Sequence, residues 1–223
     1  MDLLASFDCS SQINLSYQEC TRWEEASCVV KTIACLSHAS RAPTEIRLLD
    51  KSDSFVVDME SSSENSQDKL LSHLSIDPGE RKSIGTHIPH IIERLKDIDD
   101  ELHATKKIAV LIIITDTESG EENIVENLKI LEGLPIKIVI RICSEESRTV
   151  DHWHSISAQL DLDVDIIGHV KTEATQITEN NNWLTYAEPL HCLREYGIVL
   201  PAINDMNMQQ LPMHNIWTLA RIL

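Results

Sequence analysis

The chain has 223 residues, a length that suits one α/β domain with a sizeable hydrophobic core. Its 36 acidic and 19 basic side chains give a formal net charge of -17, which disfavours binding to phosphate backbones and to anionic membrane surfaces. The six cysteines include no C-x-x-C pair, so free thiols are expected rather than a disulfide framework.

The location of the protein is predicted from its first residues and its longest apolar run. Met1 is followed at once by Asp2, without the basic segment and long apolar core of a secretory signal. The apolar stretch Ile108–Ile114 is far too short to span a bilayer. We therefore expect a soluble cytoplasmic protein with neither a nucleic-acid partner nor a membrane partner.

The first part of the chain is predicted to form a strand, a long helix and a strand pair. An apolar run, Leu3–Asp8, predicts a short buried strand, and helical spacing of apolar residues predicts a helix over Tyr17–Ser40. Pro43 ends that helix. Alternating residues over Glu45–Leu49 predict a strand with one covered face, and Phe55–Val57 is a candidate antiparallel edge partner for it.

From residue 68 onward, helical and strand patterns alternate. The predicted segments are helix Asp68–Leu74, a helix that begins at Gly85-Thr86 and reaches Leu102, strand Ile108–Thr115, helix Asn123–Leu134, strand Ile136–Ile142, helix Thr149–Leu160 and strand Val164–Val170. Strand Ile108–Thr115 is apolar on both faces, as in a central parallel strand between two helical layers. The alternation predicts an α/β fold with a doubly wound, mostly parallel sheet flanked by helices, and one antiparallel edge strand.

The end of the domain is predicted near Gly197. A helix over Pro189–Tyr196 precedes this glycine, a residue that commonly follows the last turn of a helix. We expect one domain over residues 1–197 and a tail over residues 198–223. The weak periodicity of the tail leaves open whether it is docked on the domain or flexible.

Side chains with oxygen atoms lie in three of the predicted loops. Asp8, Ser10 and Gln12 follow the first strand, Thr86 opens a helix, and Asp116 ends the most apolar strand. Ligands collect at the carboxyl edge of open α/β sheets, where such loops meet. Hard oxygen donors suit Mg²⁺ better than zinc. Each residue taken singly also fits a plainer role as a turn former or, for Thr86, a helix N-cap.

This order of residues resembles the von Willebrand factor A (VWA) domain, over about Leu3 to Gly197. Asp8, Ser10, Thr86 and Asp116 match the positions of the family's metal-ion-dependent adhesion site (MIDAS). The resemblance implies a Rossmann-like VWA fold and a bound Mg²⁺, with Mn²⁺ as a substitute. In the family, an acidic side chain of a protein partner often completes the metal shell.

The chain departs from the family pattern at two positions, so the implied site is a degenerate one. Gln12 stands where the family has serine, and Thr117 replaces the glycine that commonly follows the last aspartate. An amide oxygen is a competent neutral ligand for a hard cation, but the glutamine side chain is longer than that of serine. We therefore include Gln12 in the predicted ligand set.

Two classes of function follow. The resemblance implies an intracellular protein-interaction module, not an enzyme, that binds its partner at the top of the sheet. The alternative is a metal-dependent hydrolase or phosphatase with Asp8 as its nucleophile, but that chemistry needs a second aspartate where the chain has Ser10. A nucleotide-binding domain would need a glycine-rich turn after the first strand, and residues 8–12 contain no glycine.

The histidine and tryptophan side chains are predicted to have structural roles. The histidine spacings do not predict a zinc site, and His191 is expected to pack or to form hydrogen bonds within the last helix. Trp23, Trp153 and Trp183 are predicted to lie in the core.

Overall fold

A computed structural model describes residues 20–49, 54–57, 64–78, 84–116 and 123–222. The helices of these ranges are α1 Arg22–Ser40, α2 Glu64–Leu74, α3 Ile88–Thr105, α4 Ile124–Lys129, α5 Ser147–Ser157, α6 Val170–Asn180, α7 Glu188–Glu195, α8 Pro201–Asn204 and α9 Met213–Ile222. The strands are β1 Thr44–Arg47, β2 Ser54–Val57, β3 Ala109–Thr115, β4 Ile136–Ile142 and β5 Asp163–Ile167. A short 3-10 helix, Ile84–Thr86, precedes α3.

The strands form two sheets. β1 and β2 pair antiparallel, with Thr44 opposite Val57, as the sequence predicted for this segment. β3, β4 and β5 form a parallel sheet in that order, with Thr115 opposite Ile142 and Arg141 opposite Ile167. The mixed α/β class is confirmed. Within the described ranges, however, the antiparallel pair is a separate sheet and not an edge of the parallel one.

The start of α1 is set by a capping box. The Thr21 hydroxyl accepts from the Glu24 amide at 3.1 Å, and the Glu24 carboxylate accepts from the Thr21 amide at 2.7 Å. These two bonds satisfy amide groups that have no partner within the helix. The helix therefore begins at Arg22, and the predicted start at Tyr17 is wrong.

The core lies on both faces of β4, every residue of which is buried. Its four isoleucines belong to a cluster with side chains of α3, α4 and α5, including Trp153. Successive side chains of a strand point to opposite faces, so Lys137, Val139 and Arg141 point the other way. That second face is covered near the end of α7, where Gly197 approaches Val139.

The residues after Gly197 form α8 and α9 and pack onto α6 and α7. Their buried side chains share a cluster with the α6 residue Ile177 and the α7 residue Leu190, and these tail side chains are Ala202, Ile203, Met206, Leu211 and Leu219. The tail is thus docked as far as Leu219. No helix within the described ranges has the length and apolar character needed to cross a bilayer.

Several predicted boundaries differ from the observed ones for local reasons. α4 ends at Lys129 rather than Leu134, because the next three amides, those of Ile130, Leu131 and Glu132, donate to carbonyls three residues back. β5 ends at Ile167 rather than Val170, because the next amide, that of Gly168, donates to the Glu173 carboxylate at 2.9 Å. Trp183 is 45% exposed, so its predicted place in the core is wrong.

Candidate functional site

The carboxyl edge of the parallel sheet is the candidate site, and Asp116 is the predicted ligand that the structure places there. It directly follows β3, and its side chain is 41% exposed. Asp8, Ser10 and Gln12 lie outside the described residues, so their predicted roles as ligands stay predictions. Thr117 also lies outside the described residues.

The backbone of Thr86 approaches the same edge. Only three residues, 106–108, join α3 to β3, so α3 must run back antiparallel to β3. Its 18 residues rise about 27 Å, against about 23 Å for the seven residues of β3. The turn that contains Thr86 therefore lies toward the carboxyl end of β3. The N-cap position of α3 is His87, so the plainer reading of Thr86 as that N-cap is wrong.

Arg22 connects Asp116 to a second exposed carboxylate. Its Nη1 lies 3.4 Å from Asp116 Oδ2, and its Nη2 donates to Glu146 Oε1 at 2.8 Å. Arg148 donates to the other oxygen of Glu146 at 3.2 Å. The hydrogen bonds from Arg22 and then Arg148 hold the pKa of Glu146 below its ordinary value. We call Arg22, Asp116, Glu146 and Arg148 the edge cluster.

A buried ion-pair network lies beneath the edge cluster. Arg141, at the carboxyl end of β4, donates to Glu195 of α7 and to Glu25 of α1, each at 2.5 Å. Burial alone would lower the pKa of Arg141, but the negative charges of Glu195 and Glu25 outweigh burial and raise it. A buried charge is tolerated when it is paired in this way. The network therefore connects the first turn of α1 and the last turn of α7 to the sheet.

His191 and Tyr186 extend this network. The Tyr186 hydroxyl and His191 Nδ1 are 2.9 Å apart, and His191 Nε2 lies 3.2 Å from Glu195 Oε1, off the ideal hydrogen-bond angle. The expected hydrogen-bonding role of His191 is confirmed. Burial raises the pKa of Tyr186, so this phenol is poorly suited to nucleophilic or acid–base work at neutral pH.

Arg194 of α7 forms a second buried network at the end of β5. It donates to Glu173 of α6 at 2.5 Å and to Asp165 of β5 at 3.0 Å. The other oxygen of Glu173 accepts from the Gly168 amide. The carboxyl end of β5 is thus tied to α6 and α7, and sequence reasoning missed both this arginine and Arg141.

Cys143 also lies at this edge, directly after β4, but it is not a reactive thiol. The residue is 1% exposed, and burial raises the pKa of its thiol to about 12. Because only the thiolate is a strong nucleophile or metal ligand, Cys143 is expected to be inert at neutral pH.

Asp116 and Glu146 offer hard carboxylate oxygens at this edge, which is the type of donor that Mg²⁺ prefers. Within the part of the chain that the structure describes, no group of three or more His, Cys, Asp or Glu side chains is arranged to hold a metal ion. Comparisons with protein-family models, curated proteins and solved structures gave no match.

Proposed function

We propose that this protein is a protein-interaction module that binds its partner at the carboxyl edge of the parallel sheet. The observation that carries the proposal is the position of Asp116, an exposed carboxylate that directly follows β3. Three parts of the chain meet around it: the first turn of α1, the end of β3 and the loop from β4 to α5. Loops on a rigid scaffold are a common place for binding residues.

Rigid support beneath the edge favours binding there. Arg141 joins α1, β4 and α7 through buried ion pairs, and Arg194 joins β5 to α6 and α7. Binding groups act best when the elements beneath them are fixed, because less conformational freedom is lost on association. These two networks supply that support to the ends of β4 and β5.

The ligand set that we propose for this edge is Asp8, Ser10, Gln12, Thr86 and Asp116, holding Mg²⁺ or, in its place, Mn²⁺. An acidic side chain of the protein partner would complete the metal shell. The support for this step is the VWA-like order of these residues and the oxygen chemistry of Asp116 at the edge.

The proposal is tested by following thermal unfolding of the full chain in millimolar MgCl₂ or MnCl₂. A cation that binds only the folded state raises the melting temperature by mass action. We expect a rise for the wild type that is lost in Asp116→Asn. Asp161→Asn is the matched control, because Asp161 is an exposed aspartate that precedes β5 at the opposite edge of the same sheet.

Two results would contradict the proposed metal site. One is a melting temperature that neither cation changes in the wild type. The other is an equal rise in the wild type and Asp116→Asn, because the cation would then be bound elsewhere.

A further inference from the structure

Arg22 places a positive charge directly on the carboxylate that the proposed cation needs. Its guanidinium spans Asp116, which directly follows β3, and Glu146, the N-cap residue of α5. We propose that Arg22 is a built-in competitor of the metal ion, so that cation binding requires Arg22 to release Asp116. This inference rests on the function proposed above and concerns the regulation of the same site.

The position of Arg22 is fixed by its neighbours on α1. Glu25, three residues later, pairs with the buried Arg141, and residues three apart lie on the same side of a helix. The capping box at Thr21 fixes the backbone of the same turn. The first turn of α1 is therefore attached to the sheet edge by three ion pairs, two made by Arg22 and one, of opposite polarity, made by Glu25.

The contact with Asp116 is the weaker of the two contacts that Arg22 makes. The 3.4 Å separation from Asp116 exceeds the usual length of a charge-assisted hydrogen bond, about 2.7–2.9 Å, whereas the 2.8 Å separation from Glu146 falls within it. All three side chains are about half exposed, and exposed pairs of this kind contribute little to stability. Arg22 can therefore release Asp116 and stay bound to Glu146.

Competition follows from charge and from shared ligand atoms. A divalent cation and a guanidinium repel each other, and both need the oxygens of Asp116. The apparent cation affinity is therefore reduced by the fraction of molecules in which Arg22 occupies Asp116. By thermodynamic reciprocity, a bound cation weakens the Arg22 contact by the same factor, which frees the guanidinium to pair with an acidic group of the partner.

The test uses Mn²⁺ alone as the probe and measures its dissociation constant for the full chain by isothermal titration calorimetry. We expect Arg22→Gln to bind Mn²⁺ about 3- to 5-fold more tightly than the wild type, the most that loss of a weak, exposed ion pair allows. Arg148→Gln is the matched control, because Arg148 pairs with Glu146 at 3.2 Å and supplies the same charge. Arg148→Gln should change the dissociation constant for Mn²⁺ by about twofold or less, because exposed and screened charges interact weakly.

The outcomes separate this inference from the proposed function. If Arg22→Gln binds no more tightly than the wild type while Asp116→Asn loses binding, the competitor role is wrong and the metal site stands. If Asp116→Asn binds as the wild type does, or if no variant binds, both are wrong. Equal tightening in Arg22→Gln and Arg148→Gln would also overturn the inference, since it would show a general charge effect.

Discussion

Arg141 is a charged side chain near the carboxyl end of β4, the most deeply buried strand. It is 3% exposed, and it is kept there by carboxylates that are 116 residues before it and 54 residues after it in the chain. Breaking a buried pair by removing one partner is costly, because the remaining charge is left without compensation. The isoleucines around Arg141 are visible in the sequence, but no local pattern identifies Glu25 and Glu195 as its partners.

Glu188 and Glu195 begin and end α7, and they offer a matched pair of substitutions. Burial tends to raise the pKa of Glu195, but the contacts with His191 and Arg141 outweigh it and lower the pKa. Burial raises the pKa of Glu188. We expect Glu195→Gln to lower the free energy of unfolding at pH 7 by about 1.5–3 kcal/mol, the usual contribution of a hydrogen bond to a charged group. Glu188→Gln should leave that free energy unchanged or raise it, as urea denaturation would measure.

The pH dependence of these two variants should differ in sign. An unfolded glutamate has a pKa of about 4.3. Because the folded-state pKa of Glu195 is lowered, its contribution is present above that pH and is lost as pH falls through the folded-state value. The deficit of Glu195→Gln should therefore shrink in acid. For Glu188, whose folded-state pKa is raised, any gain from Glu188→Gln should appear only as the pH rises above about 4.3. A deficit in Glu195→Gln that is independent of pH would contradict this account.

At the scale of elements, the interiors of strands and helices were predictable and their ends were less so. β4 matches its predicted range, Ile136–Ile142, because a run of isoleucines between helices has few alternatives. β5 is shorter than predicted because Glu173, which lies beyond the strand, accepts a hydrogen bond from Gly168. The same holds at the candidate site. The place of Asp116 at a strand end could be predicted, but its contact with Arg22, 94 residues away, could not.

The end of α7 gives a prediction about two glycines. Gly197 has a φ of +77° and donates to the Arg194 carbonyl at 2.8 Å, while Ile198 donates to the Leu193 carbonyl at 3.2 Å. This is a Schellman motif. A Cβ atom on Gly197 would lie 2.5 Å from a methyl group of Val110. Gly133 has a similar φ of +87° but no heavy atom within 4 Å of such a Cβ.

Both Gly→Ala variants should therefore be destabilised, but to different extents. Gly133→Ala should lose about 1–2 kcal/mol, the cost of a left-handed conformation for a residue with a side chain. Gly197→Ala should lose at least about 1 kcal/mol more, the usual lower range for overpacking, because the added methyl group also lies 3.3 Å from the buried Val139. Urea denaturation of the two variants measures the difference. Equal losses would mean that Val110 moves aside without cost.

At the scale of the whole molecule, the C-terminal tail is part of the folded body. Lys137 of β4 donates to Asn204 of α8 at 3.2 Å, which connects the tail to the central strand. Asn181, at the end of α6, is fully buried and binds three backbone groups of the tail. It donates to the carbonyls of Met206 and Gln209 at 2.8 and 2.9 Å and accepts from the Leu211 amide at 2.9 Å. One side chain thus satisfies three backbone groups of the loop between α8 and α9.

Asn181→Ala should therefore loosen the tail as well as lower stability. Each buried backbone group left without a partner costs about 1–3 kcal/mol. Two of the three partners, the Met206 carbonyl and the Leu211 amide, belong to buried residues, so we expect a loss of about 2 kcal/mol or more. We also expect faster chymotrypsin cleavage after the exposed Trp217 of α9, because local opening of the tail exposes the chain to the protease. The control is Asn180→Ala, which removes a single hydrogen bond, to the Asn207 carbonyl at 3.0 Å. If the two variants are cleaved at the same rate, Asn181 does not hold the tail, and the apolar contacts of α8 and α9 alone keep it docked.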